Sequence, residues 1–214
     1  LWPVSQMTSG FSPSFCQRPR SEVWAAASRV PSRKARRLMV SAAIKTGNIF
    51  SCVFEDDDSM KTFIRRINGV FRDKGIRVIP LRNRDNKMLL YVFRPEYLKR
   101  DMENKMVCDL MNQLGYCCGN VEKCITKLIQ RMKESSEFPH EVGVFLGFPP
   151  EDVCGFIHNK AKDCKMVGYW KVYGDEEKAK KIFDKYRKCS QVYLDRFERG
   201  YTLEKLTVAR KRIS

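Results

Sequence analysis

Two strand-like runs separated by a four-residue turn constrain this chain more than any other feature. Ile76 to Arg82 and Met88 to Phe93 flank Asn83-Arg84-Asp85-Asn86, a run of turn formers. Such a pair reads as a β-hairpin, and a hairpin demands an antiparallel sheet. Pro80 lacks an N–H, so the first strand belongs near a sheet edge. An all-helical bundle and an all-parallel sheet are excluded at once.

Helical stripes surround the hairpin. Ile49 to Phe54 reads as a first strand. Asp56, Asp57, Asp58 and Ser59 then start a helix, with Ser59 as its cap and acids at its positive end. Met60, Phe63, Ile64, Ile67, Val70 and Phe71 recur at helical spacing up to Gly75. After the hairpin, Pro95 opens a stripe of Leu98, Met102, Met106, Leu110, Met111 and Leu114 that Gly115 closes. Asn120 caps a stripe of Val121, Cys124, Ile125, Leu128, Ile129 and Met132. Val142 to Gly147 reads as a buried fourth strand. Pro149 and Pro150 open a short helix with Val153, Phe156 and Ile157 inward. Met166 to Tyr173 reads as a fifth strand. Asp175 caps a long helix with Ala179, Ile182, Phe183, Tyr186 and Tyr193 inward, and residues 202–209 read as a last short helix.

The expected order is β-α-β-β-α-α-β-α-β-α. It predicts an α+β fold, with one mixed five-stranded sheet covered by about five helices. The opening β-α-β-β-α-(α)-β has the order of a ferredoxin-like split βαβ. The expected domain spans residues 43–208, between a basic N-terminal tail, 1–39, and a basic C-terminal tail, 209–214.

Charge is unevenly spread. The chain carries a net charge of +16 from 41 Lys+Arg against 25 Asp+Glu. Residues 1–39 hold seven basic residues against Glu22, and Arg210, Lys211 and Arg212 sit at the other end. The segment 1–39 is rich in Ser, Pro and Arg, and is read as disordered or as lying upstream of a start at Met39. The balance admits a nucleic-acid or other anionic partner, and equally a basic surface that is only solvated. Nine Cys without a secretory signal point to free thiols in a reducing cytoplasm. No apolar run reaches membrane-spanning length, so no membrane association is expected.

Several phrases carry a resemblance. Ile44-Lys45-Thr46-Gly47-Asn48-Ile49-Phe50-Ser51-Cys52 and Leu90-Tyr91-Val92-Phe93-Arg94-Pro95 are two. Phe138-Pro139-His140-Glu141-Val142-Gly143-Val144-Phe145-Leu146-Gly147-Phe148-Pro149 is the most specific, and Gly168-Tyr169-Trp170-Lys171-Val172-Tyr173-Gly174-Asp175 follows. On these the chain resembles the bacterial domain of unknown function 3793 family, from about Ala43 to Ala209. The likeness stops before Ala43: the family brings a Cys-Ala-Pro segment there, and this chain has Arg37-Leu38-Met39-Val40. The resemblance implies an uncharacterised bacterial domain and no established activity or cofactor.

Candidate chemistry is sparse. His140, followed by Glu141 at a strand entrance, could act as a base or a ligand; the competing reading is a His satisfied by a backbone carbonyl. Cys52 with His140 is the one arrangement resembling a nucleophile and its base; the competing reading is a buried Cys acting as a small hydrophobe. Cys117, Cys118 and Cys124 lack the paired short spacing of thiolate metal sites, so no metal site is assigned. Lys45-Thr46-Gly47 precedes a strand, and no Ser-x-x-Lys accompanies it. Along Tyr169 to Tyr173, alternation puts Tyr169, Lys171 and Tyr173 on one face and Trp170 with Val172 on the other.

The expectation is a non-enzymatic binding or regulatory module for an anionic ligand. Lys45, Thr46, His140, Glu141, Tyr169, Lys171 and Tyr173 would surround one opening, provided that the first and fourth strands are parallel neighbours. A Cys/His-dependent enzyme or metal-handling protein built on Cys52, His140 and Glu141, and an RNA-binding module, are the alternatives.

Overall fold

A computed structural model describes residues 44–84, 87–135 and 138–208. Both expected tails, Cys16 and the turn residues Asp85 and Asn86 lie outside the described residues.

Strands β1 (Gly47–Val53), β2 (Arg77–Arg84) and β3 (Lys87–Phe93) make a three-stranded sheet in the order β1-β3-β2, antiparallel throughout. β3 is central, pairing Gly47 with Phe93 on one side and Arg77 with Phe93 on the other. β2 is an outer strand, and its register shifts between Pro80 and Arg82. The bulge seats Leu81 in the core at 1% exposure.

Helix α1 (Asp57–Phe71) covers one face of the sheet. Its Met60, Ile67 and Phe71 pack with Phe50, Val78, Met88, Leu90 and Val92. The other face presents Ile49, Leu89, Tyr91 and Phe93 to a layer of helices: α2 (Pro95–Met102), α3 (Lys105–Gln113), α4 (Val121–Glu134), α5 (Val142–Phe145) and α6 (Pro150–His158). The period-2 alternation of β3 is therefore apolar on both faces, which is what a central strand between two layers requires. A third cluster joins a small hairpin, β4 (Met166–Val167) and β5 (Lys171–Val172), to helix α7 (Glu176–Glu198) through Trp170, Val172, Ala179, Phe183 and Tyr186. A last turn, α8 (Leu203–Leu206), returns to the sheet end. There Lys74 donates to the carbonyls of Glu204 and Thr207, and the buried Arg94 donates to those of Lys74 and Val208. Cations thus reach the Glu204, Thr207 and Val208 carbonyls at the end of α8, where the helical hydrogen-bond ladder runs out.

The fold is α+β, with eight helices and two small sheets among the described residues, and not one five-stranded sheet with five helices. Three expectations fail, each for a local reason. Val142 to Gly147 is helix α5 followed by a turn, not a strand. Every residue from Val142 to Leu146 is buried, and a run that is apolar all round carries no period by which strand and helix can be told apart. Met166 to Tyr173 is broken after Val167, where Gly168 turns the chain. A Cβ on Gly168 would overlap the Phe183 ring, so only glycine lets the hairpin lie this close to α7. The stripe from Leu98 to Leu114 is two helices, because Asn104 accepts from Val107 N at 3.3 Å and caps a new one. The phase shifts with it, leaving Met106 exposed and Val107 buried. Without a fourth strand in the main sheet, the ferredoxin-like continuation falls as well.

The caps are as the residue types require, with one exchange. Asp56, not Ser59, is the N-cap of α1; its side chain accepts from Ser59 N at 2.6 Å, and Ser59 reaches back in a capping box. Asn120 accepts from Lys123 N at 3.0 Å and Asp175 from Lys178 N at 3.0 Å.

Candidate functional site

The strand lead-in Lys45-Thr46 meets the loop after α5 at the open end of β1. Gly147, at φ 71°, brings its backbone against Thr46, and a Cβ there would lie 2.7 Å from Thr46 Oγ1. Thr46 is buried; its carbonyl accepts from Arg94 N at 2.9 Å, and its hydroxyl donates to Asp101 in the last turn of α2. Asp101 also pairs with Arg100 at 2.9 Å. The Lys45 ammonium lies 5.0 Å from the centre of the Phe148 ring and 5.8 Å from that of Tyr186 on α7. Tyr169 meets Tyr186 edge to face at 5.4 Å, and Phe148 stacks on Trp170 at 5.0 Å. Burial, and then the charge of Asp101, raise the Tyr91 and Tyr186 hydroxyls above the ordinary tyrosine value. A cation, a buried hydroxyl, a carboxylate and an exposed aromatic ring therefore lie near one another where the main core meets the β4–β5/α7 cluster.

The other expected site residues go elsewhere. The premise that placed them together, a parallel first and fourth strand, fails with the fourth strand. Glu141 is buried at 2% exposure, where it accepts from Tyr116 Oη at 2.8 Å and pairs with Arg131 Nε at 2.7 Å. Burial, followed by the Glu141 charge, raises the Tyr116 hydroxyl. A carboxylate held by these two donors is a structural tie between α4 and α5. His140 is exposed at the turn before α5, its ring edge-on to Phe156 at 5.3 Å. Lys171 donates to the Ala161 carbonyl at 2.6 Å. Tyr173 stands over Gly155, where a Cβ would come within 2.5 Å of its own, and its hydroxyl is buried without a partner among the described residues. Cys52 packs on the α1 side of the sheet, whereas His140 touches α6 in the layer on the opposite side. The Cys/His arrangement is not assembled.

Sequence reading missed four groups. Asp101 and Phe148 join the Lys45 opening, and nothing local marks them. Asp152 is the third: buried at 3% exposure, it accepts from Trp170 Nε1 at 2.6 Å, Tyr173 N at 2.7 Å and Gly174 N at 2.8 Å, and so holds the β4–β5 hairpin on α6. Two acids after a proline pair read only as a helix start. The fourth is a basic concavity of about 430 Å³ lined by Arg82, Asn83, Arg84, Lys133, Glu134 and Ser135. Arg82 donates there to the carbonyls of Met132 and Ser135 at the end of α4. Burial, and then the neighbouring Arg84, lower the Arg82 guanidinium below its ordinary value.

Among the described residues, no group of three His, Cys, Asp or Glu side chains is placed to hold a metal ion. No helix among them is long and apolar enough to cross a membrane. No curated protein and no solved structure matches the chain. The model of one family, described as a protein of unknown function (DUF3793), matches residues 37–207, and the chain belongs to that family.

Proposed function

We propose that the domain is a non-enzymatic binding module for a small, anionic, partly flat ligand seated at Lys45 and Tyr169, with the buried Thr46 holding Asp101 beside them. The observation carrying this reading is the Lys45 ammonium held against the Phe148 and Tyr186 rings, with Tyr169 exposed beside them. A cation in partly apolar surroundings attracts an anion more strongly than one in water. The Asp101 carboxylate opposes this least where the Thr46 hydroxyl and the Arg100 guanidinium already engage it. Tyr169 supplies a face for a flat group. His140, Glu141, Lys171 and Tyr173, once expected around the same ligand, have their own partners or lie apart and are left out.

Thermal-shift titration with benzoate and with adenosine monophosphate tests this. At least one should raise the melting temperature of the full chain, and Lys45→Met should weaken its binding about 10- to 100-fold, the worth of one charge-assisted contact. His140→Ala should bind as the parent does. Equal affinity in Lys45→Met, or no shift with either probe, refutes the reading.

The basic concavity favours a second reading, contact with a polyanion such as RNA, through Arg82, Arg84 and Lys133. Retention on a heparin column that survives removal of both basic tails, and falls in Arg84→Ala/Lys133→Ala, supports it. Retention that vanishes with the tails refutes it.

A further inference from the structure

Four cysteines that the sequence distributes over α3, the following turn and α4 come together in the fold. Cys108 lies in the first turn of α3, Cys117 and Cys118 in the turn after Tyr116, and Cys124 in the first turn of α4. The Cys118 thiol donates to the Cys108 carbonyl at 3.5 Å, which brings the two residues together across ten positions of the chain. The Cys124 thiol donates to the Cys117 carbonyl at 3.0 Å. Packing accounts for Cys124, which is fully buried, and in part for Cys118, which lies half-buried against the main core; Cys108 is half-buried away from that cluster and Cys117 is exposed. The four do not form a metal cage. Pairwise sulfur chemistry remains.

We propose that Cys108 and Cys118 form a redox-modification site, at which a peroxide converts the two thiols to a disulfide and a thiol reductant restores them. Asn112 Nδ2 donates to Cys108 Sγ at 3.5 Å in an exposed pair, so Cys108 is the sulfur that peroxide reaches first and is taken as the attacking group. The Cys108 thiolate attacks one oxygen of hydrogen peroxide; the O–O bond breaks, hydroxide leaves and a sulfenic acid forms. The Cys118 sulfur then attacks the Cys108 sulfur, and the S–O bond breaks. Its hydroxide departs with the Cys118 proton as water. Two thiols and one peroxide yield one disulfide and two waters. Burial, followed by the Cys108 thiol, raises the Cys118 thiol above its ordinary value, so Cys118 is the weaker first target for peroxide and serves as the resolving partner. Cys117 is peptide-bonded to Cys118, and a bridge between adjacent residues distorts the linking peptide. The new bond would pin the turn whose Tyr116 hydroxyl holds the buried Glu141.

The test uses the full chain, one equivalent of hydrogen peroxide, alkylation and non-reducing peptide mapping. Trypsin releases Met106 to Lys123 as one peptide containing Cys108, Cys117 and Cys118. The expected product carries a single alkylated thiol, at Cys117, and stays joined after a second cut following Tyr116. Dithiothreitol restores all three thiols. Cys108→Ser should slow thiol loss from this peptide about tenfold or more, as for a peptide deprived of its attacking thiol, whereas Cys117→Ser should oxidise like the parent. Circular dichroism confirms that both variants fold. The proposal is overturned if the parent peptide keeps three alkylated thiols, if the bridge joins Cys117 or Cys124 instead, or if Cys108→Ser loses its thiols as fast as the parent.

Discussion

Replacing Asp152 by Asn leaves the shape of α6 unchanged and removes one acceptor. Oδ1 of Asp152 accepts the Tyr173 and Gly174 N–H groups, and Oδ2 accepts the Trp170 indole N–H, all within 2.8 Å. An amide offers one acceptor oxygen and one donor nitrogen. Its oxygen does best in the Oδ1 place, serving two backbone donors, which turns its NH2 group towards the indole N–H. One charge-assisted bond is lost, the two that remain weaken, and the buried indole donor is stranded. Trp170 is 2% exposed, so water does not replace the bond. The cost is about 2–4 kcal/mol, from about 1.5–3 for the bond and about 1–3 for the stranded donor, partly overlapping. The urea midpoint, followed by far-ultraviolet circular dichroism because Trp170 itself is varied, should fall by about 1–2 M at an unchanged slope. Trp170→Phe removes the indole donor. In the double variant Asp152→Asn/Trp170→Phe the Asn substitution should therefore cost about 1–2 kcal/mol less than it does alone, a coupling that a double-mutant cycle isolates. A coupling below about 0.5 kcal/mol would refute the reasoning, because the indole bond would then not be what Asp152 supplies.

Two further outcomes are expected. Gly168→Ala should destabilise by about 1–3 kcal/mol as the new methyl meets the Phe183 ring, while Gly119→Ala, with open space around it, should stay within about 0.5 kcal/mol; equal midpoints in urea would count against the packing of β4–β5 on α7. Asp56 and Asp175 are held below the ordinary aspartate value, first by the backbone N–H groups of Ser59 and Lys178 respectively. Their folded pKa is depressed, so their contribution is complete above about pH 4 and is lost as pH falls through the lower folded value. The stability gap between the parent and Asp56→Asn/Asp175→Asn should be flat from pH 7 to about 5 and shrink below about 4; a gap independent of pH down to acid unfolding would contradict this.

Legibility along the chain followed one physical rule. Where a segment has one wet and one dry side, its period can be read. The stripe of α1 matches the buried set Met60, Ile67 and Phe71, and that of α4 matches Cys124, Ile125, Leu128 and Met132. The hairpin was readable because turn chemistry separates two runs of strand length rich in β-branched and aromatic residues. Where a segment is dry on all sides, as from Val142 to Leu146, no phase remains. The site divides in the same way. Lys45 and Tyr169, on which the proposed ligand site rests, stood out in the sequence only as polar and aromatic groups beside strand-like runs. That Glu141 would be taken by Arg131 and Tyr116 was not, since pairing across α4 and α5 leaves no mark on either segment.

By itself the sequence determined what local chemistry can determine: an antiparallel hairpin, amphipathic helices, and caps at Asn120 and Asp175. These depend on backbone dihedrals and on side chains within four residues, all of which the sequence states directly. Tertiary structure alone decided that α5 is helical, that Gly168 splits the expected fifth strand against Phe183, that Asp152 ties the resulting hairpin to α6, and that Cys108 meets Cys118 across the end of α3. Each of these depends on which distant surface a segment meets, and burial constrains that choice through total packing, which no short stretch of residues encodes.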